Sequence, residues 1–176
     1  VRAAGSRGSG YKVTGEERGQ GVMSLGRSSG EFQADSRGMA TLRPLCERLA
    51  PFDAVASAAG DVFPGPLQET TDEQWDNSIR SKGMGQINLV RAALPTIADG
   101  GSFTLISGVL TDEAVHHGTI GATINFLVEG FVKSAATEMP PGIRINCIGP
   151  TAVSYTHLTL PTILRVESPS SYVHTQ

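Results

Sequence analysis

Strand-like and helix-like segments alternate along the middle of this chain, from about residue 22 to residue 150. Each strand-like segment is a short apolar run with little polar alternation, and the segments between carry apolar side chains at helical spacing. Strands of that kind, joined by helices, predict a parallel sheet that is covered on both faces. The alternation therefore predicts a doubly wound α/β domain, with a ligand site at the carboxyl ends of its strands.

The bounds of these segments can be estimated from the residues themselves. Strands are expected at 22–25, 52–56, 102–107 and 143–148, and helices over about 42–49, 71–97 and 124–135. Thr71 and Gln74 have the spacing of a capping box, which predicts the start of the second helix. The apolar stripe of that helix drifts near Gly83 and Gly85, and a turn is expected at 99–101.

The composition excludes several classes of function. The 176 residues suffice for one domain, and 14 basic against 17 acidic side chains give a charge of -3, which predicts no binding to nucleic acid. No apolar run approaches the ~20 residues of a membrane helix, so no membrane partner is expected. Cys46 and Cys147 lack the spacing of a zinc site or a disulfide framework. We therefore expect no metal site and a cytoplasmic location.

The residues from Val153 onward differ in character from the rest. Residues 153–162 follow neither a helical nor a strand period, and they resemble the translation of a sequencing-library adapter. We therefore expect a domain over 1–152 and a non-native tail over 153–176, with an irregular native tail as the alternative. Since the chain also begins without Met, the fold is expected to be truncated at both ends. An exposed apolar sheet edge and poor solubility would follow.

Several segments carry a family resemblance by their order and spacing. These segments are 52–60, 75–95, 101–107, 129–131 and 142–150. Together they make about residues 18 to 152 resemble the short-chain dehydrogenase/reductase family. The resemblance implies a Rossmann-like sheet, a nicotinamide cofactor and a small carbonyl or alcohol as substrate. It also allows a homodimer or homotetramer.

The cofactor residues implied by the resemblance begin at a glycine-rich loop. Residues 4–10 are similar to that loop, with Gly8 and Gly10 at its later glycines, although a disordered start is an equal alternative. Glycines there let backbone N–H groups approach the pyrophosphate.

Five further cofactor residues follow from the same resemblance. Arg27 and Ser28 stand after a strand where an acid would bind NAD, and arginine instead accommodates the 2′-phosphate of NADP. Asp35 matches the acid beside the adenine ring. Ala59 and Gly60 match the segment beside the nicotinamide ribose, where glycine allows a close approach. A solvated surface arginine is the alternative for Arg27.

The proton-transfer residues of the family are not in their usual places. Its members pair a tyrosine with a lysine four residues later, because a phenol is a poor acid at neutral pH without a nearby cation. No tyrosine of this chain has such a lysine. Alignment on residues 129–131 puts Gly121 at the tyrosine, Asn125 at the lysine and Lys82 at the family's asparagine. The pattern is similar to an atypical bacterial branch that lacks the YxxxK motif.

Three residues could still support chemistry. Ser107, next to the usual serine position at Gly108, could polarise a carbonyl, Lys82 could supply a cation or acid, and Asn125 could bind the cofactor ribose. Each has an ordinary alternative: a strand-end hydroxyl, a solvated lysine and an amide that satisfies a neighbouring loop. Two functions therefore stay open, an NADP-dependent oxidoreductase and a non-catalytic nucleotide-binding or interaction protein with a degenerate site.

Overall fold

A computed structural model describes residues 2–5, 23–27 and 32–150, and within them six strands form one parallel sheet. The strands are β1 (Arg2–Gly5), β2 (Met23–Gly26), β3 (Phe32–Gln33), β4 (Phe52–Ala58), β5 (Ile97–Ile106) and β6 (Arg144–Ile148). Their order across the sheet is β3-β2-β1-β4-β5-β6, with β1 in a central position. All five pairings are parallel. The predicted α/β class and parallel sheet are confirmed.

Helices connect β3 to β4, β4 to β5 and β5 to β6. They are α1 (Met39–Leu49), α2 (Asp72–Ser78), a π-helical segment (Ile79–Met84), α3 (Gly85–Ala93), a short 3-10 helix (Val109–Thr111) and α4 (Thr119–Ala135). Each of these connections moves in the same direction across the sheet, so right-handed crossovers place the three longer helices on one face. There α3 packs against both α1 and α4. Within the described part, no helix is both long and apolar enough to cross a membrane.

The core lies between that helix layer and the sheet. Phe103 and Leu105 of β5 are fully buried, as are Leu42 of α1 and Val128 of α4, and Val90 of α3 is nearly so. Burying such side chains stabilises the fold by roughly 1.5–3 kcal/mol each relative to exposure. The apolar runs seen in the sequence thus form the core between the sheet and the helices. This packing fixes the position of the strand ends at the carboxyl edge of the sheet.

The long connection between β4 and β5 changes its helical type in the middle. Thr71 begins α2 through the predicted capping box, its hydroxyl accepting from Gln74 N and its own N–H donating to Gln74 Oε1. The π segment then follows α2, near Gly83 and Gly85, where the spacing of the apolar residues departs from that of a regular α-helix. Gly83 and Gly85 permit this course, since a Cβ on them would lie 3.3 Å from Leu127 and 2.8 Å from Ser36 Oγ.

Two expectations of the sequence analysis need correction. Residues 99–101, expected as a turn, lie inside β5, where the pairing with β4 shifts register and Gly100 takes a φ of 75°. Ala4 and Gly5, assigned to the glycine-rich loop, belong to β1 instead. Gly8, Gly10, Ser28 and the tail at 153–176 lie outside the described residues.

Candidate functional site

The π segment aims Lys82 at the carboxyl ends of the neighbouring strands. Its ammonium nitrogen Nζ donates to the backbone carbonyl of Ser107 at 2.7 Å and to Asn125 Oδ1 at 2.6 Å. Ser107 follows β5, and Asn125 lies on α4. Three predicted site residues from three elements therefore meet at one point, and the side chain of Lys82 is half-buried there.

Burial alters the acidity of this lysine. Removal from water disfavours the charged form and lowers the pKa of the Lys82 ammonium below its ordinary 10.5, while a negative charge on Cys147 acts in the opposite direction. An ammonium with a lowered pKa gives up its proton more readily than that of an exposed lysine. Lys82 is therefore suited to proton transfer nearer neutral pH.

Asn125 explains why the usual serine position holds glycine. Its amide Nδ2 donates to the carbonyl of Gly108 at 3.2 Å, and the residue is 2% exposed. A Cβ at position 108 would lie only 2.9 Å from that nitrogen. A side chain at position 108 and the observed placement of the Asn125 amide thus exclude each other.

In the alignment that the resemblance suggests, Lys82 stands at the family's asparagine and Asn125 at its lysine. The resemblance expects asparagine at 82 and lysine at 125, and the structure has the opposite pair in direct contact. One ammonium and one amide therefore lie at this edge of the sheet. The ammonium belongs to Lys82 in the connection between β4 and β5, and the amide belongs to Asn125 on α4.

Position 121, where the resemblance places the family's tyrosine, holds a glycine that lies close to Leu110. Gly121 is buried on α4, and a Cβ there would meet Leu110 Cδ1 at 2.7 Å and Val62 Cγ1 at 3.6 Å. Leu110 therefore occupies the space that a larger side chain at 121 would enter. A side chain at position 121 would require the Leu110 methyl group to shift.

The loop after β4 is fixed to the π segment. Gly60 has a φ of 135°, and a Cβ on it would lie 2.3 Å from Lys82 Cα. Ser81 Oγ accepts from the Asp61 N–H at 3.0 Å, and Ser78 Oγ accepts from the Phe63 N–H at 3.2 Å. The loop and Lys82 are thus held in one arrangement, with Ala59 directly before Gly60.

The Ser107 hydroxyl lies apart from the contact between Lys82 and the Ser107 carbonyl. Its oxygen is buried and has no hydrogen-bond partner in the described part of the chain, although the Cys147 thiol lies near it. Burial raises the pKa of that thiol, and the nearby Ser107 hydroxyl partly opposes the rise. Ser107 therefore contacts Lys82 through its carbonyl, while its hydroxyl makes no hydrogen bond to Lys82.

Sequence reasoning missed Gln86. Its Nε2 donates to the carbonyl of Ile106 at 2.9 Å, and its Oε1 accepts from the Ile106 N–H at 2.9 Å. The residue is 1% exposed. A glutamine four residues after Lys82, among the apolar positions of α3, was the available signal, because a buried amide needs polar partners.

The remaining described cofactor candidates stand at the ends of β2 and β3. Arg27 follows β2, and its guanidinium lies 3.7 Å from the Asp61 carboxylate, with both side chains more than half exposed. Asp35 follows β3 and accepts from Arg37 Nη2 at 2.6 Å and from the Arg37 N–H at 3.0 Å. The hydrogen bonds from Arg37 lower the pKa of the Asp35 carboxyl, against a smaller opposing effect of burial.

Comparison with known proteins gives related sequences over most of the chain. The family model described as enoyl-(acyl carrier protein) reductase matches residues 32–159. An uncharacterized NAD-dependent oxidoreductase of Mycobacterium tuberculosis is 32% identical over 153 residues, covering 80% of this chain and 55% of that protein. A short chain dehydrogenase/reductase of Aspergillus aculeatus is 30% identical over 160 residues, covering 85% and 57%. The chain thus spans little more than half the length of these curated relatives.

Solved structures share the fold. The protein lin1944 from Listeria innocua superposes with a TM-score of 0.79 at 36% identity, covering 85% of this chain and 76% of that one. A small-chain dehydrogenase in complex with NADPH superposes with a TM-score of 0.74 at 23% identity, covering 85% and 68%. With the family match over residues 32–159, these findings identify the chain as a member of the short-chain dehydrogenase/reductase family.

Proposed function

We propose that this protein is an NADP-dependent oxidoreductase that acts on a small carbonyl or alcohol, with Lys82 in the role of proton donor and acceptor. The observation that carries the proposal is the position of the Lys82 ammonium, held at the carboxyl edge of the sheet by Ser107 O and Asn125 Oδ1. Parallel sheets of this order bind their ligands at that edge, where the order reverses between β1 and β4.

The described residues fit a nicotinamide dinucleotide. Arg27 places an exposed guanidinium after β2, and Asp35 places a carboxylate after β3. An arginine in that place suits a 2′-phosphate, which supports NADP over NAD. A solved structure of the same fold is a complex with NADPH. We extend the proposal to Gly8, Gly10 and Ser28 on resemblance alone, and to Ala59 and Gly60 for the ribose beside the nicotinamide.

The cofactor would supply a hydride in reduction and accept one in oxidation, and the proton is left to the protein. Two of the three N–H donors of Lys82 are used by Ser107 O and Asn125 Oδ1, so one is left for an oxygen of the substrate. In reduction, the ammonium would donate its proton to the oxygen that gains negative charge. In oxidation, the neutral amine would take the proton from the alcohol.

Ser107 and Asn125 hold Lys82 in place under this proposal. The buried Ser107 hydroxyl takes no part in the step, and Asn125 keeps its expected role near the ribose only as a hypothesis. A cytoplasmic location and a homodimer or homotetramer complete the proposal, on the family relationship alone.

A second function has one specific observation in its favour. Position 121, where the resemblance places the family's tyrosine, holds glycine, and a Cβ there would lie 2.7 Å from Leu110 Cδ1. A protein that binds the nucleotide without turnover would have the same feature. In the first function Lys82 is required for turnover, whereas in the second it contributes to stability alone.

The test compares nucleotide binding with turnover. NADPH is expected to raise the melting temperature of the wild-type protein more than NADH, and NADPH oxidation is expected with a panel of small carbonyls. Lys82→Met should keep the thermal shift and lose the oxidation, while Lys133→Met should keep both. A thermal shift without oxidation by the wild type would support the second function. No shift with either nucleotide would exclude both.

A further inference from the structure

The end of β5 loses its neighbour on one side just before the site. The pairing of β4 with β5 runs to Ala56 and Thr104, whereas the pairing of β5 with β6 continues to Ile106 and Ile148. Ile106 therefore lies beyond the last paired residue of β4. Backbone groups left without a ladder partner in a buried place need another one.

Gln86 supplies that partner. Its amide bonds both the N–H and the carbonyl of Ile106, at 2.9 Å each, as a neighbouring strand would. Gln86 is 1% exposed, so water does not compete for these two groups. An apolar side chain could fill the same volume, but it would leave two half-buried backbone groups of Ile106 without this partner.

Ile106, which Gln86 holds, directly precedes the residue whose carbonyl binds Lys82. Ser107 follows Ile106, and its carbonyl accepts from Lys82 Nζ at 2.7 Å. Gln86 lies one helical turn after Lys82, at the start of α3. The same stretch of helix thus carries the ammonium and fixes the strand end that receives it.

We propose that Gln86 is a positioning residue, whose amide fixes the end of β5 so that the Ser107 carbonyl is presented to Lys82. The importance of Gln86 for catalysis rests on the proposed function. Its role in positioning the Ser107 carbonyl does not, because that role concerns how Lys82 is held in the free protein.

The experiment measures the titration of Lys82 without any turnover. The chain has three lysines, at positions 12, 82 and 133, so their side-chain 13Cε resonances can be followed by NMR. Disappearance of one resonance in Lys82→Arg assigns it. Cys147 is the titratable group that acts on Lys82, so every titration is run on proteins that also carry Cys147→Ala.

Gln86→Met is expected to lower the pKa of Lys82 further, by about half a unit or more, because the ammonium loses a well-placed acceptor. Val90→Ala is the matched control, since Val90 lies one turn along α3 and is equally buried at 1% exposure. It should lower stability without moving the Lys82 titration. Gln86→Asn, whose amide is one methylene too short, gives the same test if the methionine variant does not fold.

An unchanged Lys82 titration in a folded Gln86 variant would overturn the proposal. So would an equal shift in Val90→Ala, because the effect would then follow general loosening of the helix. If the wild-type protein does not oxidise NADPH, only the proposed function is contradicted. The Lys82 titrations of the Gln86 variants and of Val90→Ala would still test the positioning role of Gln86.

Discussion

Single side chains set the chemistry that this edge of the sheet can support. Lys82 and Asn125 form one contact across two helices, and Gly108 and Gly121 leave the space that the contact and Leu110 require. These four positions depart from the family pattern together. A side chain at position 108 or 121 would require Asn125 or Leu110 to shift, whereas the charge of Lys82 is present at the edge.

The lowered pKa of Lys82 predicts the direction of the pH dependence. Carbonyl reduction needs the ammonium, so kcat/KM should fall as the pH rises through a value below 10.5. Alcohol oxidation needs the amine and should rise over the same range. Lys82→Arg should remove this limb, because a guanidinium stays protonated. Rates measured from pH 6 to 10 in both directions test it, and equal profiles for wild type and Lys82→Arg would contradict it.

The same shift affects stability with a definite sign. Between the lowered folded-state pKa of Lys82 and the ordinary value of 10.5, the unfolded chain binds more protons than the folded one. The free energy of unfolding should therefore increase with pH across that window. Urea unfolding at a series of pH values, for wild type and Lys82→Met, isolates the contribution, which should disappear in the variant.

The contact between Arg27 and Asp61 predicts an effect on nucleotide preference. The Asp61 carboxylate lies 3.7 Å from the guanidinium that we assign to the 2′-phosphate, so it competes with that phosphate. Asp61→Asn should tighten NADPH binding by up to about fivefold, the range of an exposed ion pair, and change NADH binding little. Asp76→Asn makes the same charge change in the exposed Arg80–Asp76 pair and should have no such effect.

A double-mutant cycle decides whether Arg27 carries this effect. In an Arg27→Ala background, Asp61→Asn should no longer favour NADPH over NADH. The same selective gain with and without Arg27 would show that Asp61 acts through the general potential and would remove the assigned contact.

The elements of the chain differ in how well their sequences predict them. The helix beginning at Thr71 is predicted by its capping box, but the π segment is visible only as a drift of the stripe near Gly83 and Gly85. A π turn forms because packing against α4 and the loop at Ser36 favours it, and that packing is non-local. For the same reason, the clamp of Gln86 on Ile106 could not be read from either segment alone.

Glycine substitutions test how the loop after β4 is held against the π segment. Gly60→Ala should lower the free energy of unfolding by about 1–3 kcal/mol or more, since the φ of 135° is strained for alanine and its Cβ would collide with Lys82. Gly130→Ala is the control, because nothing lies within 4 Å of a Cβ there. In the interior of α4 it should raise stability by about 0.5–1 kcal/mol. Urea unfolding of both variants gives the comparison, and a neutral Gly60→Ala would contradict the predicted collision.

The overall architecture follows from the alternation of segments, because buried parallel strands need apolar runs and helical crossovers. The parallel α/β sheet agrees with what that pattern and the resemblance predicted, and the structure adds its strand order and the meeting of Lys82, Ser107 and Asn125. The surroundings of the Ser107 hydroxyl could not be predicted from the sequence, because they depend on the neighbouring strand, here β6 with Cys147.

The predicted boundary at residue 152 can be tested on the whole molecule. Residues as far as 150 are tied into the sheet, with Ser107 N donating to Ile148 O at 2.9 Å and Val109 N donating to Pro150 O at 3.1 Å. A chain that ends at residue 152 should therefore melt within about 2 °C of the 176-residue chain. A chain that ends at residue 142 also loses β6, exposes the edge of β5 and should melt far lower or aggregate.

Circular dichroism melts of the three chains, with sedimentation to detect aggregates, make the comparison. The match to the family model runs to residue 159, seven residues past the boundary, so a contribution from 153–159 is the specific alternative. A drop of more than about 4 °C on ending the chain at 152 corresponds to roughly 1 kcal/mol or more at this size. That result would place part of 153–176 in the fold, and a further chain that ends at residue 159 would then recover the loss.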